Sequence, residues 1–417
     1  MSTENSRKTK GKVWLYRDGT IVTTAILLFG FILQAASGGT ILRFAGFPWN
    51  LVSGIAFSGI LVLIFFKAQK HPLIRWLGSV KAALPAILGF TFLVLLMGFV
   101  KQDVQPHNSI SRLFGLTHLV RTWPFILINL YLLILLGIVI LKRLSPFTLK
   151  NAGFFLNHFG LFLVLFSTAL GSGDMKRLTM NCYEGRTEQR ASDDAGHAVE
   201  VPFSVRLIKF NIDEFRPKIT VVESKTGKIV PEKAKEQFIL LDRNAFDISR
   251  YHVEVEQFFD SAEKVGEGFQ AATERGSAPA ARLKVTNREN QSEFSGWICS
   301  GSFSFQPETL KLDDDHSLVM LPPEPRKFSS ELAIQTADGK SIQPVIEVNK
   351  PFTIAGWTIY QLGYDTDLGR WSDLSVLELV RDPWLPVVYL GILLMMAGAG
   401  FLFIYGKPKN GGNEHVA

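Results

Sequence analysis

Two textures divide the chain: long unbroken apolar runs, and one extended stretch in which apolar and polar residues take turns. The runs lie at Thr20 to Ala36, Leu51 to Phe66, Ala82 to Val100, Trp123 to Leu141, Ala152 to Leu170 and Trp384 to Tyr405. A helix rises ~1.5 Å per residue, so runs of this length match a hydrocarbon core ~30 Å thick and predict about six transmembrane helices. The first two runs are the shortest. Between Gly171 and Pro383 the period changes to two. Phe203, Val205 and Leu207 alternate with Ser204 and Arg206; Tyr251, Val253 and Val255 alternate with His252, Glu254 and Glu256; Leu283 and Val285 alternate with Arg282, Lys284 and Thr286. Such alternation predicts antiparallel strands with one buried face. Lys225 to Lys228 and the pair Ala355, Gly356 read as hairpin turns, whereas Ala191 to Glu200 and Gly266 to Pro279 read as polar surface loops. The expected fold is a membrane α-helical bundle carrying a large all-β domain, a sandwich or an open barrel. Its parts are a membrane region over 1–170, the β-rich domain over 171–383, and a final span with a short tail over 384–417.

Composition agrees with this division, since 47% hydrophobic residues are too many for an ordinary soluble protein and 20% charged residues too many for a chain wholly in the bilayer. The net charge of +6 changes the picture only through its placement. Arg7, Lys8, Lys10, Lys12 and Arg17 precede the first run; Lys67, Lys70, Arg75 and Lys81 separate the second and third; Lys142, Arg143 and Lys150 separate the fourth and fifth. A basic excess collected in alternate short loops is the positive-inside signature, not a nucleic-acid footprint. Those loops are expected in the cytoplasm. The segment Ser37 to Asn50, the loop Lys101 to Thr122 and the β-rich domain are expected on the opposite, extracytoplasmic side, with membrane lipid around the spans. A signal peptide cleaved near Ala35 and Ser37 is the alternative reading of the first run.

Candidate chemistry is sparse. No P-loop, HExxH, GxSxG elbow or CxxCH is present, so soluble-type catalysis and covalent haem binding by this chain are not indicated, and no catalytic residue is assigned. His158, beside Asn157, sits inside the fifth run. A charged group at such depth is disfavoured by about 2 to 3 kcal/mol or more, so a histidine there is expected to be neutral and to face protein, water or a ligand. Two readings stand open: axial ligation of haem iron among Phe154, Phe155 and Phe162, or an interhelical hydrogen bond. His107, His118, Arg112 and Arg121 lie in the loop before Trp123. They offer haem ligands or propionate partners at the outer face, or else form an ordinary interfacial segment. Asp313, Asp314, Asp315 and His316 could hold a cation or simply be solvated, and His252 reads as a surface residue. Cys182 and Cys299 share the outer domain, where a disulfide is permitted but not required.

Four segments carry a resemblance: TWPFILINLYLLILLGIVILKRL, NHFGLFLVLFSTALGSGD, VNKPFTIAGWTIYQLGYD and LVRDPWLPVVYLGILLMMAGAGFLF. In their order and spacing, over about Gly78 to Tyr405, the chain resembles the ResB family of System II cytochrome c biogenesis proteins. The resemblance implies a bacterial inner-membrane protein that works with a CcsA (ResC) partner. Together they would carry haem b across the membrane and present it to an apocytochrome c for covalent attachment. It also implies that His158, by position, is the haem-iron ligand. The Trp-rich motif expected of CcsA is absent, so the attachment site is expected on that separate polypeptide, and this chain is expected to be a subunit of the synthase and not an enzyme alone. The first two runs precede the region of resemblance. The alternative function is a membrane-anchored protein-binding or assembly module without a cofactor.

Overall fold

The computed structural model describes residues 14–102, 104–106, 108–145, 148–230, 239–240 and 244–405. The chain forms two compact units, one comprising everything up to Met175 together with everything from Asp382 onward, the other spanning Lys176–Arg381.

Helices α1 (Tyr16–Ala36), α2 (Trp49–Ala68), α3 (Pro72–Leu77), α4 (Val80–Phe99), α5 (Ser109–Leu113), α6 (Trp123–Leu144), α7 (Ala152–Gly171) and α8 (Leu385–Tyr405) build the first unit. Six of the described helices, all but α3 and α5, are long and apolar enough to cross a membrane. Each of the six predicted runs lies on one of them, to within a few residues. The ends follow ordinary rules: Pro124 stands in the first turn of α6, and Asp382 accepts the N–H groups of Trp384 and Leu385 at 3.0 and 3.1 Å where α8 begins.

Bilayer lipid is as apolar as leucine, so helices in it associate through close backbone approach and polar ties more than through hydrophobicity. Both devices are present. Gly153 and Gly160 on α7 face Gly398 and Gly391 on the antiparallel α8; a Cβ on Gly160 would come within 2.5 Å of the Gly391 carbonyl oxygen, and one on Gly398 within 2.5 Å of the Asn157 nitrogen. The spacing of seven on both helices returns the small residues to one stripe every two turns. Pro85 in α4 has no N–H to give the Lys81 carbonyl, and Gly19 of α1 packs against that oxygen. Fully buried Gln34 of α1 accepts the Trp123 N–H at 3.2 Å and donates to the Thr40 carbonyl at 3.1 Å, serving the exposed first turn of α6. Tyr131, Leu132 and Leu135 of α6 pack with Ala82, Ala86 and Leu93 of α4 to form the apolar centre.

Among the described residues, the second unit contains three antiparallel sheets. The largest is a curled half-barrel running Ser341–Ile342, Pro325–Thr336, Ala198–Glu214, Thr187–Ser192, Lys176–Tyr183, Leu374–Arg381, Trp357–Tyr364 and Phe352–Ile354, with Val345–Glu347 also against Pro325–Thr336. A second sheet runs Glu293–Cys299, Ala278–Asn287, Tyr251–Val265 and Ala245–Ile248, with Gly268–Ala271 beside Tyr251–Val265. A third runs Leu310–Lys311, His316–Met320, Lys218–Glu223 and Ile229–Val230, with Ile239–Leu240 beside Lys218–Glu223. The alternation read from the sequence places the residues correctly: Phe203, Val205 and Leu207 lie in one core, and Tyr251, Val253, Leu283 and Val285 in another. Ala355 and Gly356 form the expected two-residue turn, both with positive φ (50° and 76°), pairing Ile354 with Trp357. The two segments read as loops are shorter than expected. Ala191, Ser192 and residues 198–200 are already in strands, and Gly268–Ala271 is a strand of its own. Most of their polar residues are exposed or only partly buried, so alternation has little apolar signal to show there.

At the centre of the largest sheet, Ser330 donates to Gln361 Oε1 at 2.6 Å and also meets the Ser375 hydroxyl at 2.7 Å, while Gln361 donates to the Gly363 carbonyl at 3.0 Å. The short 3₁₀ turn Gly369–Trp371 joins two sheets. Arg370 pairs with Glu214 at 3.0 Å and donates to the Asp260 carbonyl at 3.2 Å, and the Trp371 indole donates to the Ser277 carbonyl at 2.9 Å. Burial pushes the Glu214 carboxyl up, against the opposing pull of the Arg370 guanidinium.

Candidate functional site

His158 lies in the second turn of α7, half-buried, its ring stacked on Phe154 with centroids 3.8 Å apart. Its Nδ1 stands 2.9 Å from the Phe154 carbonyl oxygen one turn earlier. A carbonyl only accepts, so Nδ1 carries the proton and the lone pair is left on Nε2. Among the described residues Nε2 has no hydrogen-bond partner. Of the two readings left open by the sequence, the interhelical bond is therefore not the one made: the ring bonds within its own helix, and Asn157 instead reaches α8, donating to the Met395 carbonyl at 3.4 Å. An imidazole oriented through one nitrogen, with the lone pair of the other free among the described residues, is the form a metal ligand takes. The Arg143 guanidinium lies over the Phe154 ring, 4.7 Å from its centroid.

Helical spacing puts His158, Phe162, Leu165 and Phe166 on one stripe of α7. Farther along that stripe, toward the Gly171 end, opens a cavity of about 660 Å³ between α2, α4, α6, α7 and the start of α8. Leu165 and Phe166 line it, joined by Phe57, Phe90, Phe125 and Leu133. Its polar lining includes His118, Arg121, Asn129 and Gln102. Gln102 is fully committed, bridging the Val100 and Leu116 carbonyls and the Leu119 N–H at 2.8, 2.9 and 3.1 Å. His118 has one nitrogen 3.0 Å from the Thr117 hydroxyl. Arg121 makes no ion pair and the Asn129 amide no hydrogen bond among the described residues.

The four loop candidates therefore separate. His118 and Arg121 converge on one cavity, Arg112 is exposed and does not line it, and His107 lies outside the described residues.

Beside the cavity is a residue that the sequence reading passed over. Asp174, just past α7, accepts the Phe47 N–H at 2.6 Å on one oxygen, and the Asn50 amide and Trp384 indole N–H, each at 2.7 Å, on the other. Asn50 donates as well to the Leu170 carbonyl at 3.0 Å. One carboxylate thus ties the beginnings of α2 and α8 to the end of α7. Its sequence signal was present in the motif GSGD that closes the fifth span, but its partners lie more than a hundred residues away on both sides.

Elsewhere the chemistry is structural. The disulfide left open by the sequence is not formed: Cys182 lies in the core of the largest sheet and Cys299 in a separate cluster with Phe269 and Ala280. Each thiol occupies an inward position of a different sheet, so pairing would require leaving its core. Burial pushes the Cys182 thiol up to about 12. Asp313 is a turn anchor; burial opposes its ionisation, but the N–H groups of Asp315 and His316, the His316 ring and the Tyr251 hydroxyl together hold its carboxyl well below the usual range. Arg250 adds a bond at 2.9 Å. Among the described residues no cluster of histidine, cysteine or acidic groups is arranged to hold a metal ion. His252 bonds Asp247 at 2.6 Å on the surface.

Residues 285–372, from the second sheet to the Trp371 turn, match the ResB-like family. Over that stretch the chain is similar to the ResB-like family. That match suggests a role in cytochrome c biogenesis. It lies wholly in the β unit and takes in Ser330, Gln361 and the Arg370–Trp371 clamp, so the matched stretch includes contacts that join the sheets. A search of curated proteins finds no match to the chain.

Proposed function

We propose that this ResB-like chain is the haem-holding subunit of a System II cytochrome c synthase, acting with a CcsA-type membrane partner at the bacterial inner membrane. Haem is its cargo, and the iron supplies the acceptor for an imidazole lone pair. The observation that carries the proposal is His158: on a helix long and apolar enough to span a membrane, with Nδ1 tied to the Phe154 carbonyl and Nε2 without a hydrogen bond among the described residues.

The chain's own part follows from that geometry. The Phe154 carbonyl fixes the tautomer, so no proton has to leave before ligation, and Phe154 holds the ring plane by stacking. Phe162 and the apolar stripe above it keep water from the ring. The Gly153, Gly160, Gly391 and Gly398 seam holds α7 against α8 and leaves His158 directed away from that contact. A histidine of the partner would complete the axial pair, and the β unit would receive the apocytochrome whose thiols take the haem.

The test is spectroscopic. Purified with its partner, the wild-type chain is expected to carry haem with a Soret band and six-coordinate spectrum. His158→Ala should lose most of that haem, and added imidazole should restore the band. Unchanged haem content and an unchanged axial spectrum in the variant would remove His158 as the ligand.

A further inference from the structure

The two strands through which the chain enters and leaves the β unit carry an unusual row of side chains. Lys176 is directly opposite Arg381 in the antiparallel pair Lys176–Tyr183 and Leu374–Arg381. Residues so paired project from the same face of a sheet with Cβ atoms about 5 Å apart, and like charges in that position repel. The next row on this face, Leu178 with Leu379, is buried in the core of the sheet, whereas Lys176 and Arg381 are exposed. Thr358 pairs with Val380, which sets Trp357 beside Arg381 as the third member of the row. Trp357 can only donate, and its buried indole N–H has no acceptor among the described residues. The row thus offers two cations and a donor, and nothing that accepts.

The acids nearest in sequence are committed elsewhere. Glu378 is engaged by Arg177, whose side chain projects from the opposite face. Asp382 accepts the N–H groups of Trp384 and Leu385, and Asp174 those of Phe47, Asn50 and Trp384. Lys176 follows Gly171, the last residue of α7, by five positions, and Arg381 precedes Leu385, the first of α8, by four. Five residues reach at most about 17 Å. Chain connectivity alone therefore keeps both cations near the bilayer surface that α7 and α8 reach, where headgroup phosphates lie.

We infer that Lys176 and Arg381 together bind the phosphate of an anionic phospholipid, so that a lipid headgroup sits where the entry and exit strands of the β unit meet the membrane. A phosphate between the two side chains turns a repulsive pair into a bridged one: the Arg381 fork matches two phosphate oxygens, and Lys176 adds a point charge. Their exposure is what admits a headgroup. Neither haem nor His158 takes part. Free inorganic phosphate carries the same acid group and is the other source to be tested; the short tether of both residues to spans favours the lipid.

The experiment titrates the full chain, purified and delipidated in a neutral detergent, with phosphatidylglycerol, phosphatidylcholine or inorganic phosphate. Bound lipid is counted by native mass spectrometry, and thermal unfolding is followed in parallel. Wild type should retain phosphatidylglycerol in preference to phosphatidylcholine and unfold at a higher temperature with it. A basic residue beside an anionic membrane surface contributes about fivefold in affinity, so Lys176→Gln and Arg381→Gln should each weaken retention by about that factor and the double variant by about twentyfold. Arg381→Lys should keep most of it. Arg381→Glu faces Lys176 with the opposite charge: it should unfold at a higher temperature than wild type in lipid-free detergent and gain nothing from phosphatidylglycerol. Lys340→Gln, the same change of charge at an exposed lysine elsewhere in the β unit, should titrate as wild type. Equal retention by the double variant and wild type overturns the site, as does an equal loss in Lys340→Gln, which would assign the effect to net charge. If inorganic phosphate stabilises wild type as much as phosphatidylglycerol does and Arg381→Gln abolishes both effects, the row is a free-phosphate site and the lipid reading falls.

Discussion

The two units are held together in opposite ways. In Lys176–Arg381 stability is spread over alternating side chains, and no single one of Val205, Leu207, Leu332 or Ile359 defines the sheet they share. In the helical unit it is concentrated at a few points: the glycine seam between α7 and α8, the Asp174 junction, the Gln34 bond to α6 and the Gly19 contact with Lys81. The contrast follows from solvent. Water drives the burial of every apolar side chain in the β unit, whereas lipid gives an apolar helix no reason to prefer a neighbour over its surroundings.

That difference can be broken most sharply at the seam. Gly160→Leu puts a side chain where the Gly391 carbonyl and Met395 already lie, so it should destabilise the α7–α8 pair by about 3 kcal/mol or more and reduce the folded yield in detergent. A leucine tolerated there without loss of thermal stability would mean that the seam is not what joins these helices. Asp174→Asn should come next, at about 2 kcal/mol, because an amide cannot accept all three of the N–H groups now directed at the carboxylate. Protease sensitivity near Asn50 and Trp384 reports it, and an unaltered cleavage pattern would show that the junction is dispensable.

The smallest effect is expected in the β unit, from Asp313→Asn, at about 1 kcal/mol near neutral pH. Its sign depends on pH. The folded carboxyl ionises at lower pH than an unfolded aspartate, so its contribution is fully present above the unfolded value of about 4 and is lost as pH falls through the folded one. Amide exchange around residues 250 and 313–316 in wild type and variant should therefore differ at neutral pH and converge on acidification. A gap that persisted or widened in acid would show that Asp313 acts otherwise than through its charge.

The same contrast governs what could be read from the chain. All six spans were legible because a continuous apolar run needs no partner to be recognised, and the buried faces of Phe203 to Leu207 and Tyr251 to Val253 because alternation is local. His158 stood out for a similar reason, as an ionisable residue in an apolar run. Its tautomer did not, since that depends on where the Phe154 carbonyl points. Asp174 and Gln34 were opaque: each is an ordinary polar residue whose role is set by a chain segment far away in sequence. His118 and Arg121 could be named but not joined to a cavity until α2, α4, α6 and α7 had been assembled around them. Cys182 and Cys299 show the converse, a pair suggested by compartment and separated by packing.

The register that opens and closes the β unit has a thermodynamic consequence. Lys176 pairs with Arg381, so the inserted segment of roughly two hundred residues starts and finishes side by side. Bringing the ends of a flexible chain of that length together costs on the order of 5 kcal/mol of entropy. Docking of α7 on α8 meets that cost in advance, which makes the insert easier to fold once the two helices are joined. A substitution confined to the glycines should then lower the stability of sheets it never touches.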